Sequence, residues 1–135
     1  MKRLLAILLL SCRVPAAMHV DTAFGDSERF EMHRAAEKWN TIVAEDHQIT
    51  LNGHEWTVLR REPPGGWNGW CDRTEKLILI KPGLDAWWTY AVTLHEFGHA
   101  LGLNHTSKGV MDTHVPTIEF SDEDMVECKR VGACQ

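Results

Sequence analysis

The segment HEFGHALGLNH, His95 to His105, constrains this chain more than any other. Phe97, Ala100, Leu101 and Leu103 give it the apolar positions of a core-packed helix, yet three histidines, a glutamate and two glycines share the same eleven residues. His95 and His99 are four residues apart, so on a helix they stand one turn apart on the same face. Glu96 is displaced from His95 by about a quarter turn. On a helix that simply continued, His105 would lie about 9 Å beyond His99 along the axis, too far for a shared partner. Gly102 falls between them. Glycine takes positive φ without steric penalty, so the helix can stop there and the chain can fold back. The spacing predicts a reversal that brings the third imidazole beside the first two.

Three converging imidazoles suit one tetrahedral cation, with bonds of roughly 2.0–2.1 Å and a fourth place left for solvent. Ligand type points to Zn2+ as the cofactor, although imidazole sites of this kind accept other divalent ions. Glu96 misses the cation but reaches water bound to it, and can take its proton as general base. The expected site is therefore His95, His99 and His105 as metal ligands with Glu96 as the catalytic residue. Two alternatives stand beside it. Glu119 lies 20 residues after His99, a spacing that permits a thermolysin-type glutamate as third ligand, but Gly102 and His105 would then have no role. A non-catalytic, zinc-stabilised binding protein would use the cleft without turnover, and Glu96 speaks against it. His19, His33, His47, His54 and His114 read as ordinary surface or hydrogen-bonding histidines.

The remaining chain sets the frame. Its 135 residues make one domain with room for a real core. With 14 basic and 19 acidic residues it gathers no basic stripe, which excludes a nucleic-acid partner. The six tryptophans are expected in the core and in cleft walls. At the start, Lys2 and Arg3 precede an apolar run from Leu4 to Leu10, and small residues follow through Ala16 and Ala17. That is the grammar of a signal peptide, residues 1–17, ahead of a domain at 18–135. The run is too short for a stable membrane span, which needs roughly 20 residues. Leu9-Leu10-Ser11-Cys12 also resembles a bacterial lipobox, which would place a lipid anchor on Cys12. Export leaves 11 basic against 19 acidic residues, a formal charge of -8. One disulfide is expected, either Cys128–Cys134 or Cys71 with one of those two, leaving an odd thiol.

Along the chain, His19 to Phe24 reads as a first strand. A helix follows from Asp26 or Ser27 to about Ala44, its apolar face carrying Phe30, Ala35, Trp39 or Ala36, and Ile42 to Val43. Ile49 to Leu51 and Trp56 to Leu59 are short strands, joined through Asn52-Gly53. Pro63 to Trp70 is a Gly-rich loop. Lys76 to Lys81 holds a continuous apolar run, that of a strand buried on both faces. Asp85 caps the motif helix. The last helix starts at Ser121, with Asp124 completing a capping box and Met125, Val126 and Val131 facing inward. This order gives an α/β (α+β) fold.

Beyond the motif itself, VDTAF (20–24), AAEKWN (35–40), HEFGHALGLNHT (95–106) and FSDEDM (120–125) are similar to the matrixin branch of the metzincin metallopeptidases. The similarity spans most of residues 19–131. It implies a metzincin-like zincin fold in minimal form: a small mixed twisted sheet, an active-site helix, a Met-turn and a C-terminal helix. Met111 is the Met-turn candidate, an apolar floor beneath the ligands. The resemblance further implies that Trp67 to Asp72 forms an edge strand for extended substrate, with a specificity pocket lined from Met111 to Phe120. The expected protein is a secreted or extracytoplasmic, monomeric zinc endopeptidase acting on protein or peptide substrates.

Overall fold

The computed structural model describes residues 16–114 and 116–135. The elements are β1 (Ala16–Val20), α1 (Asp26–Asn40), β2 (Ile49–Thr50), β3 (Trp56–Arg60), β4 (Gly69–Asp72), β5 (Leu77–Ile80), α2 (Ala86–Ala100) and α3 (Asp122–Arg130). They form a five-stranded sheet in the order β2-β1-β3-β5-β4. Every pairing is parallel except β4 with β5, so β4 is an antiparallel edge strand. The mixed α/β architecture matches the expected fold class. Cys12 and most of the leader lie outside the described residues; Ala16 and Ala17, its last two residues by the grammar above, open β1 opposite Ile49 and Thr50.

Alternation builds the sheet's inner face. Met18, Val20, Trp56 and Val58 are buried, while His19 between them is exposed. In β5, Ile78, Leu79 and Ile80 are all buried, as a strand covered on both faces requires. Trp70 of β4 pairs with Leu79 and so shares its face. The first strand ends at Val20 and does not reach Phe24. Residues 21–24 instead turn, because the Arg29 guanidinium donates to the Asp21 carbonyl at 2.6 Å and the Phe24 carbonyl at 3.1 Å.

Helix α1 begins where expected, but Gly25 is its N-cap, its N–H donating to the Glu28 carboxylate at 2.8 Å. It stops at Asn40 and not Ala44. The Asn40 side chain donates to the Ile49 carbonyl and accepts from the Ile49 N–H, tying the helix end to β2. Its buried face is Glu31, Met32, Ala35, Ala36 and Trp39, so the apolar stripe is rotated from the expected one. Phe30 is 63% exposed, whereas Glu31 is buried and paired with Arg34 at 2.8 Å. In turn, Arg34 lies over the Tyr90 ring of α2 at 4.4 Å.

Helices α1 and α2 pack on each other and on the sheet. Trp39 closes the joint. Its indole is fully buried, and Nε1–H donates to the Leu94 carbonyl at 2.7 Å, inside the motif helix. At the chain's end the disulfide is Cys128–Cys134, and Cys71 is the free thiol. Val126 faces solvent at 69% exposure, so the inward face of α3 is made by Asp124, Met125, Cys128 and the following Val131. Trp67 and Trp87 are also substantially exposed. Trp39→Phe should cost about 1–2 kcal/mol, the lost hydrogen bond plus a small void. Urea unfolding checks it, and a variant as stable as the wild type would show that the indole N–H contributes nothing.

Candidate active site

Asp85 starts the motif helix as expected, its carboxylate accepting from the Trp88 N–H at 2.8 Å. Helix α2 ends at Ala100, and Gly102 follows with φ +102. Two hydrogen bonds close the end: Leu103 N–H to the Gly98 carbonyl and Gly102 N–H to the His99 carbonyl, each at 3.0 Å. That pair is a Schellman motif, which needs a left-handed residue where Gly102 stands. From there the chain doubles back to His105.

The reversal brings the three imidazoles together. One ligand atom from each of His95, His99 and His105 lies within 4.8 Å of the others, a group that could hold a metal ion. His95 Nδ1 meets the Val110 carbonyl at 2.7 Å, and His99 Nδ1 meets the Leu103 carbonyl at 2.8 Å. A carbonyl only accepts, so both Nδ1 atoms carry the proton and both Nε2 lone pairs are left as ligand atoms. His99 Nε2 and His105 Nε2 face each other at 2.9 Å. Nitrogens on a tetrahedral zinc with bonds of about 2.0–2.1 Å stand roughly 3–3.5 Å apart, close to the separation of the His99–His105 pair, and the full set lies within 4.8 Å, so the three imidazoles fit such an ion once they draw in around it. Burial holds all three imidazoles below their ordinary pKa, His99 near about 4. They stay neutral, the form that binds metal.

Glu96 is buried in α2, and burial pushes its carboxyl up to about 8. Gly69 of the edge strand lies against it; a Cβ there would come within 2.7 Å of Glu96 Oε1. Cys71, two residues along β4, lines the same cleft. Burial, reinforced by the Glu96 charge, raises that thiol to about 12, so it is inert and protonated. The cleft holds about 880 Å³, with Trp67, Trp70 and Trp88 among its walls and Val110, Pro116 and Thr117 on the side of the expected pocket loop. Glu119, the alternative ligand, points elsewhere: its carboxylate is exposed and lies 3.5 Å from Lys38 Nζ.

Met111 is fully buried beneath this arrangement. A Cβ on Gly98 would meet Met111 Sδ at 2.3 Å and Trp39 Cζ2 at 2.8 Å, so the helix can rest on this floor only with glycine there. The floor is fixed by Asp124, whose buried carboxylate accepts from Val110 N–H at 2.7 Å, Met111 N–H at 3.2 Å, Ser121 N–H at 2.9 Å and the Thr106 hydroxyl at 2.9 Å. Asp124 thus caps α3, as its sequence position indicates, and also orients Val110, which orients His95. Nothing in the sequence signals that second task. The part played by Gly98 was readable in principle, since glycine in a helix interior costs about 1 kcal/mol relative to alanine and calls for a packing reason.

Gly98→Ala should destabilise the protein by about 1–3 kcal/mol through overpacking, despite alanine's better helix propensity. Urea titration of the purified variant checks this, and a gain in stability would show that the floor yields freely. A second outcome concerns pH. A carboxyl raised in the fold keeps a proton that the unfolded chain has released, so stability drains away as pH rises from 4.5 to about 8. In metal-free protein, Glu96→Gln should therefore gain stability over the wild type progressively across that window and no further above it. Parallel unfolding curves that keep a constant offset would refute the assignment.

The chain matches the sequence profile of the matrixin peptidases over residues 9–130. Among solved structures it is similar to high choriolytic enzyme 1, a hatching-enzyme zinc protease from the medaka fish Oryzias latipes, with a TM-score of 0.50 and 15% identity. The likeness covers 70% of this chain and 47% of that enzyme, so this chain corresponds to about half of it, and at that identity it speaks to the fold alone. No curated protein sequence matches the chain.

Proposed function

The chain belongs to the matrixin family of metallopeptidases, and from that premise we propose that it is an exported zinc endopeptidase with His95, His99 and His105 as the metal ligands and Glu96 as general base. The observation that carries this reading is the convergence of the three ligand atoms beside a buried carboxylate at the floor of an open cleft. Zinc supplies the Lewis acidity that polarises a peptide carbonyl and acidifies water. The protein supplies the rest. Val110 and Leu103 hold two imidazoles in the tautomer that presents Nε2. Glu96, buried at the floor of the cleft beside the ligand set, is placed to take a proton from the attacking water and hand it to the leaving amine. Edge strand β4 is placed to pair with an extended peptide along the open side of the sheet, which would fix the scissile bond in register.

Export is proposed on the leader grammar and on the Cys128–Cys134 disulfide, which belongs to an oxidising compartment. The leader is proposed to end before Ala16, so that β1 stays whole. Among the described residues, no helix is long and apolar enough to cross a membrane.

Glu96→Ala should keep stoichiometric zinc yet lose about 10²–10⁴-fold in peptide cleavage, the usual contribution of a positioned general base. Metal analysis and a peptide-library assay on one preparation, with and without chelator, test both halves together. Cleavage that survives in Glu96→Ala would overturn the mechanism. Wild-type protein that holds zinc but releases no product would favour the binding-protein alternative.

A further inference from the structure

The three imidazoles are not held alike. His95 and His99 each donate from Nδ1 to a carbonyl, but His105 has no protein partner at Nδ1 among the described residues and is the exposed member of the set. Its position must come from the main chain between Gly102 and His105. Two charged side chains from separate elements grip that segment. Arg73, the first residue beyond β4, sits in the hollow of the reversal. Its Nε–H donates to the His99 carbonyl at 2.9 Å, Nη1 donates to Asn104 Oδ1 at 3.2 Å, and Nη2 donates to the Leu103 carbonyl. A guanidinium is a rigid fork with five donors, which lets one side chain span three acceptors. It also brings positive charge to the C-terminal end of α2, where the helix dipole favours it. From the other side, Glu127 of α3 accepts from the Asn104 N–H at 2.9 Å and is itself braced by Arg130 at 2.6 and 2.8 Å.

We infer that Arg73 and Glu127 form a two-sided clamp that sets the position of His105, and that Arg73 is a positioning residue coupling the edge strand to the third ligand. The Leu103 carbonyl shows the coupling directly. It accepts from Arg73 and from His99 Nδ1, so one donor fixes the acceptor that orients a second ligand. Arg73 follows Asp72, whose carboxylate accepts from the N–H groups of Thr74 and Glu75 and so stiffens the β4–β5 turn that carries the guanidinium. A displacement of β4 is thereby passed to residues 103–105. The inference rests on the zinc-peptidase reading above, because its consequence is a property of the metal site.

Zinc affinity, measured by chelator competition on the full chain, tests it alongside thermal unfolding of the metal-free forms. Arg73→Ala should weaken zinc binding by about 10–100-fold, the range for partners that orient metal ligands, and Glu127→Ala should shift it in the same direction. Lys76→Ala serves as the control: Lys76 lies in the same β4–β5 turn as Arg73, its loss removes a salt bridge to Glu55 ahead of β3, and it should leave zinc affinity unchanged. Metal-free Arg73→Ala should unfold at about the same temperature as metal-free Lys76→Ala. If Arg73→Ala does not fold, Arg73→Lys, which keeps the charge but not the fork, should still show weakened zinc binding. Unchanged affinity in the folded Arg73 variants would overturn the clamp alone, as would an equal loss in Lys76→Ala. Wild-type protein that binds no zinc would overturn the function proposed above and the clamp with it.

Discussion

Three imidazoles spread over eleven residues cannot meet around one point on a straight helix, so the candidate site depends on the main chain turning back after Ala100. The reversal is local and specific. Leu101 ends the helix, Gly102 takes the left-handed conformation, and two hydrogen bonds back to Gly98 and His99 use carbonyls that a helix end would otherwise leave open. Groups beneath the cleft hold that turn in place. Met111 and Trp39 support it from below through Gly98, and Asp124 fixes the loop that carries Met111.

The same construction places unfavourable groups in the fold on purpose. A buried glutamate loses hydration, and three imidazoles kept neutral give up protonation in mild acid that the unfolded chain would accept. The core must offset both. It does so with a sheet whose inner face buries Met18, Val20, Trp56, Val58, Ile78 and Ile80 and with two helices joined by a buried indole hydrogen bond. A cation among the histidines would relieve the strain, since metal binding to the folded form alone stabilises it by mass action. Site and stability are therefore linked, as is common where catalysis needs charged groups out of water.

Much of this was legible in the sequence because the governing periodicities are local. The four-residue spacing of His95 and His99, the glycine after the helix, the caps at Asp85 and Ser121 with Asp124, and the doubly buried strand at Leu77–Ile80 each follow from residues close in the chain. What escaped is set by partners far away. The apolar stripe of α1 turns towards Met32 and Trp39 because α2 receives the indole, which leaves Phe30 in solvent and tucks Glu31 beneath Arg34 and Tyr90. Val126 faces out because Asp124, a charged residue, takes the inner position to hold the Met111 loop. Backbone carbonyls such as those of Val110 and Leu103 carry no residue signature at all, yet they decide which imidazole nitrogen is free. The disulfide partner of Cys128 was likewise open between two cysteines until the C-terminal turn brought Cys134 to it.

The most direct measurement of the central claim is zinc K-edge X-ray absorption on the loaded protein, compared with the His105→Ala form. The account predicts three imidazole nitrogens and one oxygen at about 2.0–2.1 Å, with one imidazole lost in the variant. A spectrum with two imidazoles in the wild type, left unaltered by His105→Ala, would contradict it.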